Sequence, residues 1–175
     1  VAEEITFSGG KRDGRSTVWL TPEEKQEEKF YKNGKLDGPS TFWENGYRST
    51  MTTYKSDSPE GPWVIWFSNS DQIKEQGFHQ KGIREGLTTY YYEDGTMQRE
   101  GFFKEGLPDG MWTYWNKEGE KDFDFDFGSG LQHISLEDLV ERESVFYKLG
   151  EDTPFTGIIT QENPEADYLF LGRTK

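Results

Sequence analysis

One short pattern returns about every 24 residues through the first three-quarters of this chain, and that period limits the possible folds more than any other feature. An acidic residue precedes a glycine at Asp13-Gly14, Asp37-Gly38, Glu60-Gly61, Glu85-Gly86 and Asp109-Gly110. Successive glycines are 24, 23, 25 and 24 residues apart, and five residues after each stands a large ring: Trp19, Trp43, Trp66, Tyr91 and Trp115. A period of this size is the mark of a repeat array, in which each unit buries its apolar surface against its neighbours. Such arrays build extended surfaces, which suit binding better than catalysis.

Each copy reads as a β-hairpin. After the glycine, residues alternate in type: Thr17/Trp19, Thr41/Trp43, Val64/Trp66, Thr89/Tyr91 and Thr113/Trp115 fall on one face. Ser16/Val18, Ser40/Phe42, Trp63/Ile65, Thr88/Tyr90 and Trp112/Tyr114 fall on the other. Period two with β-branched and aromatic residues is strand chemistry. Asn45-Gly46, Asp94-Gly95 and Glu118-Gly119 mark the turn that follows, and a more polar returning strand ends in Tyr31, Tyr54, Phe78, Phe103 or Phe127. Asn33-Gly34, Lys81-Gly82 and Glu105-Gly106 lead into the next copy. The acid-Gly pairs themselves read as turn chemistry, with glycine supplying a positive φ. Joined in order, the hairpins predict an elongated antiparallel meander that advances roughly 10 Å per repeat.

Composition supports a folded, turn-rich β protein. The 175 residues include six Trp, nine Tyr and thirteen Phe, enough ring area to oppose disorder despite 30% charged residues. Net charge is −13; residues 1–127 hold 24 acids and 16 bases, and the remainder 9 and 4. With no basic tail, nucleic acid is excluded as a natural ligand and an anionic lipid surface is disfavoured. No cysteine is present, so disulfides, thiolate catalysis and Cys-ligated zinc are ruled out. No apolar run reaches the length of a membrane span, so integral insertion is not expected. The first residue is Val rather than Met, which leans toward a processed product in a bacterial envelope or secreted setting.

The pattern aromatic-x-x-Gly-x-x-Asp-Gly-x-x-x-aromatic-aromatic, closed by an Asn-Gly type of turn, resembles the MORN repeat and its bacterial variant form. The resemblance runs from Phe7 to Phe127 and is best in the second, fourth and fifth copies. It implies β-hairpin arrays that act as interaction or scaffolding modules; some bacterial relatives carry an antitoxin label, and other members have been linked to phospholipids. The expected architecture is therefore all-β: five MORN-like hairpins over 1–127, then a C-terminal capping or linker segment over 128–175. That segment is expected to hold a short helix near 135–143, with Ser135 as N-cap and Leu136, Leu139 and Val140 on one side, and one or two strands.

The ladder Trp19, Trp43, Trp66, Tyr91 and Trp115 is the leading candidate site. Its rings either stack on one another as repeat core, the favoured reading, or offer a row for a protein partner or a sugar. The stretch Asp122 to Asp126 opens like a calcium loop but has Phe127 where glycine is needed and His133 where glutamate is needed. Alternation puts Phe123, Phe125 and Phe127 on one face and three acids on the other. His79 and His133 stand apart, read as lone surface histidines, and no nucleophile, phosphate-loop or zinc motif accompanies them. The expected function is a non-catalytic protein-binding or scaffolding module, with no metal, cofactor or catalytic residue. A sugar-binding array and an antitoxin-like inhibitor are the alternatives.

Overall fold

A computed structural model describes residues 1–128 and, beyond them, the backbone of strands within 132–173. The chain divides into two compact units, 1–125 and 126–175. The first is a single open antiparallel sheet. Its strands are β1 (Ala2–Ser8), β2 (Lys11–Thr21), β3 (Glu24–Lys32), β4 (Lys35–Glu44), β5 (Tyr47–Lys55), β6 (Ser58–Trp66), β7 (Ile73–Gln80), β8 (Ile83–Arg84), β9 (Gly86–Tyr91), β10 (Met97–Lys104), β11 (Leu107–Trp115) and β12 (Lys121–Asp126). They pair in chain order, with the two-residue β8 attached to β7 beside β9. The expected meander of hairpins is what forms.

The turns entering each copy are tight because both central residues sit in the left-handed region, as a two-residue type I′ turn requires. Asn33-Gly34 has φ of 52° and 88°, and Lys81-Gly82 and Glu105-Gly106 match it closely. Lys81 and Glu105 are neither glycine nor asparagine, so this backbone carries a steric cost of about 1–2 kcal/mol each.

The acid-Gly pairs do not make these turns, which corrects the sequence reading. They lie inside β2, β4, β6 and β11, and at the break between β8 and β9. Each marks a large bulge in the ladder. Lys29 faces Ser40 and Tyr31 faces Leu36, so Asp37, Gly38 and Pro39 together oppose Phe30. Residues 60–62 oppose Thr53, and residues 110–112 oppose Gly101, in the same way. Two extra residues bend the strand yet leave its alternation intact, so each side chain keeps its face. Gly38 has φ +125°, and a Cβ there would stand 2.9 Å from the Phe30 Cβ. Both the backbone and the space demand glycine.

Three of the carboxylates beside those glycines tie their repeat to the next, and between the second and third copies Asp57 Oδ1 instead accepts the Leu36 N–H at 2.8 Å. Asp13 Oδ2 accepts the Asn33 N–H at 2.9 Å, Glu60 Oε2 the Lys81 N–H at 2.7 Å, and Glu85 Oε2 the Glu105 N–H at 2.9 Å. The following turn residue donates in parallel to the preceding repeat's backbone: Gly34 to Arg12, Gly82 to Pro59 and Gly106 to Arg84. Both donors of the turn are thus satisfied across the repeat boundary. Replacing Glu85 by Ala should lower stability by about 1 kcal/mol, a fall of about 2–4 °C in Tm, while Glu85→Gln retains most of it. Thermal melts of both variants beside exposed Glu118→Ala check this; equal melting temperatures for all three would refute the tie.

The best-buried rings lie on the face carrying Trp63, Tyr90 and Trp112, not on the ladder face. Trp63, Phe103 and Trp112 are each 3% exposed or less. They fit because a glycine of a neighbouring strand lies beneath the ring. Trp63 faces Gly77, where a Cβ would come 2.8 Å from the indole, and a Cβ on Gly101 would clash with the Trp112 indole. Trp112 also meets Phe103 edge-on at 5.3 Å and Tyr90 at 6.1 Å, and its Nε1 donates to the Phe102 carbonyl.

His79, not Phe78, occupies the place that Tyr31, Tyr54 and Phe103 hold in other repeats. Gly14 pairs with Tyr31, Gly38 with Tyr54, Gly61 with His79 and Gly86 with Phe103. His79 is half-buried, with its ring 5.7 Å from Trp63. It is a member of the ring row rather than a lone surface side chain.

In β12 the alternation holds. Phe123 stacks on Tyr114 at 4.5 Å, while Asp124 accepts from the Thr113 hydroxyl on the opposite face. A hydrogen bond from Lys121, and after it the one from Thr113, hold the Asp124 carboxyl below its ordinary pKa.

The second unit contains β13 (Gln132–Ser135), β14 (Leu139–Arg142), β15 (Val145–Lys148), β16 (Gly157–Asn163) and β17 (Ala166–Arg173). β16 pairs with β13 in parallel and with β17 antiparallel, while β14 and β15 form a separate hairpin. The helix expected near 135–143 is not found: Ser135 ends β13, Leu139 to Arg142 form β14, and 136–138 lie outside the described residues. A nine-residue helix is marginal by itself. The adjoining Val-Phe-Tyr-Lys run gives this segment a β partner two residues away.

Candidate interaction surface

The ladder face consists of three parallel rows. The middle row is continuous in register: Thr17, Glu28, Thr41, Met51, Val64, Gln76, Thr89, Glu100 and Thr113 face one another strand by strand. Along it threonine or valine alternates with the longer Glu28, Met51, Gln76 and Glu100. On β6, β7 and β9, where Val64, Gln76 and Thr89 lie, it forms the floor of a groove.

Two residues toward the ladder-side turns stand the five sequence-predicted rings. A one-residue bulge in each returning strand puts a particular partner opposite the ring: Lys25 to Trp19, Arg48 to Trp43, Ile73 to Trp66 and Met97 to Tyr91. Rings and intervening side chains therefore alternate across the sheet. Lys25 Nζ lies 5.4 Å from the Trp19 ring centroid and 5.3 Å from that of Trp43, and Arg48 sits 4.7 Å from that of Trp66. Trp66 is buried; Trp19, Trp43, Tyr91 and Trp115 are half-buried. The structure brings all five together in one row, but as a half-buried wall shared with cations. It is neither an open platform nor the main core.

The third row escaped the sequence reading. Two residues from the floor on the other side lie Pro62, Phe78, Leu87, Phe102 and Met111, on β6, β7, β9, β10 and β11 in turn. All five are exposed, Phe102 at 55% and Met111 at 57%. Leu87 and Phe102 are direct cross-strand partners. A cavity of about 520 Å³ opens where Pro62, Val64, Gln76, Phe78, Leu87 and Thr89 meet, at the break between β8 and β9. The available sequence signal was the residue just past each acid-Gly pair, which is apolar in the last four copies: Pro39, Pro62, Leu87 and Met111.

The opposite face carries a mixed cluster. The Arg84 guanidinium lies 4.3 Å from the Trp63 centroid and 5.5 Å from that of Phe103, donates to the Tyr90 hydroxyl at 3.0 Å and pairs with Glu75. Arg99 covers Tyr90 at 4.0 Å. Burial raises the pKa of the neighbouring Tyr114 hydroxyl, with Arg99 acting in the opposite direction. These contacts bind cations to rings within the fold.

Among the described residues, no group of three or more His, Asp or Glu is placed to hold a metal ion, and no helix is long and apolar enough to cross a membrane. No known family matches this chain, and no curated protein is detectably similar to it.

Proposed function

We propose that this chain is a non-catalytic protein-binding or scaffolding module built from MORN-like hairpins. The groove on the ladder face carries the reading. Its outer wall is a run of exposed apolar side chains on five successive strands, with Pro62 opposite Phe78 and Leu87 opposite Phe102, and surfaces of that kind on folded proteins serve contact with other macromolecules. A sugar array is the rival, and it needs open ring faces. Trp19, Trp43 and Trp66 each already hold a cation within 5.4 Å, which favours protein contact over stacking on sugar rings.

A photo-crosslinking residue at Leu87, compared with one at exposed Tyr47, tests this in extract from the source cells. The expected result is a discrete protein adduct at Leu87 and none at Tyr47. The reading fails if no adduct forms while immobilised glycans retain the chain in a way that Trp115→Ala abolishes.

A further inference from the structure

The charge of the array is distributed unevenly, and its imbalance coincides with the apolar row. Residues 1–56 carry nine acids and nine bases, whereas residues 57–127 carry fifteen acids and seven bases. The whole net charge of the array therefore belongs to the half that presents Pro62, Phe78, Leu87, Phe102 and Met111. In the neutral half the same row reads Arg15, Phe30, Pro39 and Thr53, of which Phe30 and Thr53 are half-buried. Along this row, a longer exposed apolar stretch and an excess of acidic residues thus occur together. Glu100 stands in the middle row opposite Thr89, and Glu85 on the wall of the cavity.

This pairing selects the occupant. A second copy of the same face would set like charges against each other, which costs energy and slows encounter. A sugar has no use for a net charge of this sign. Building on the protein-binding reading above, we propose that the groove takes a basic polypeptide segment with an apolar face, lying across β6, β7, β9, β10 and β11. Five strands at about 4.8 Å spacing place the ends of the row roughly 19 Å apart. That length suits about 13 residues of helix, whose i, i+3, i+4 and i+7 side chains would fall on the row. Lysines and arginines flanking that apolar face would meet the acidic surroundings and steer association.

The test uses the full chain and a fluorescein-labelled amphipathic peptide of Leu and Lys, about 14 residues long. Fluorescence anisotropy should report binding that weakens at least tenfold from 50 to about 500 mM salt as surface charges are screened. The Leu87→Ser/Phe102→Ser variant, altered only at exposed positions, should lose at least tenfold in affinity with unchanged circular dichroism. A Leu/Glu peptide of the same length should not bind. Equal affinity for the variant, or binding of the Leu/Glu peptide, overturns the proposal. So does a Leu87 adduct from cell extract that excess Leu/Lys peptide leaves undiminished; in that case protein binding stands and the basic segment falls.

Discussion

Replacing Trp112 by Ala should destabilise the array by about 3–5 kcal/mol, the range for removing a large buried ring. The indole is 3% exposed, bonded through Nε1 to the Phe102 carbonyl, and in contact with Phe103 and Tyr90. Truncation leaves a cavity that strands held by their own ladder cannot close. It also leaves the Phe102 carbonyl without that donor. Tm should drop by about 10 °C, against less than about 2 °C for exposed Met111→Ala on the same strand. Urea denaturation followed by fluorescence of the remaining tryptophans would measure it. A Trp112 variant no less stable than the Met111 variant would show that the buried-ring face does not hold the array together.

Adding a single methyl at Gly101 should cost nearly as much, about 2–3 kcal/mol. A Cβ there would overlap the Trp112 ring. The ring cannot move aside without losing its bond to Phe102 and its edge contact with Phe103, so the added carbon forces strain rather than relaxation. The two sites are coupled, and a double-mutant cycle exposes it: Gly101→Ala should be close to neutral once Trp112 is already Ala. Additive costs would mean that the glycine serves its own backbone instead of the indole.

The hairpin order was legible because period, strand alternation and Asn-Gly turns all agreed. What the sequence left hidden has a common cause. Both an acid-Gly bulge and an acid-Gly turn require a positive φ at glycine, so residue type alone does not separate them; register across the sheet does. The same ambiguity made Phe78 look like the counterpart of Tyr54 and Phe103, when alternation carried through the bulge gives that place to His79 and sends Phe78 to the exposed row. The ladder rings could be placed on one face from spacing alone. Their half-burial could not, since it depends on Lys25 and Arg48, which a one-residue bulge brings opposite Trp19 and Trp43. Gly77 and Gly101 were the overlooked clue to the buried rings. A glycine in a strand interior commonly marks the close approach of a large neighbour, and each lies beside a tryptophan on the adjoining strand.

The carboxylate ties also explain where the repeats are free to differ in length. From the first residue of each entering turn to the next acid is four residues without exception: Asn33 to Asp37, Ser56 to Glu60, Lys81 to Glu85 and Glu105 to Asp109. From each ladder ring to its cross-strand partner is six, five, seven and six residues: Trp19 to Lys25, Trp43 to Arg48, Trp66 to Ile73 and Tyr91 to Met97. Those values track the 24, 23, 25 and 24 residues between glycines one for one. Every insertion and deletion separating the copies has been absorbed at one margin of the sheet, while the margin stitched by carboxylates has kept a constant length. Grafted loops or tags should therefore be accepted next to the tryptophans and rejected next to the acids.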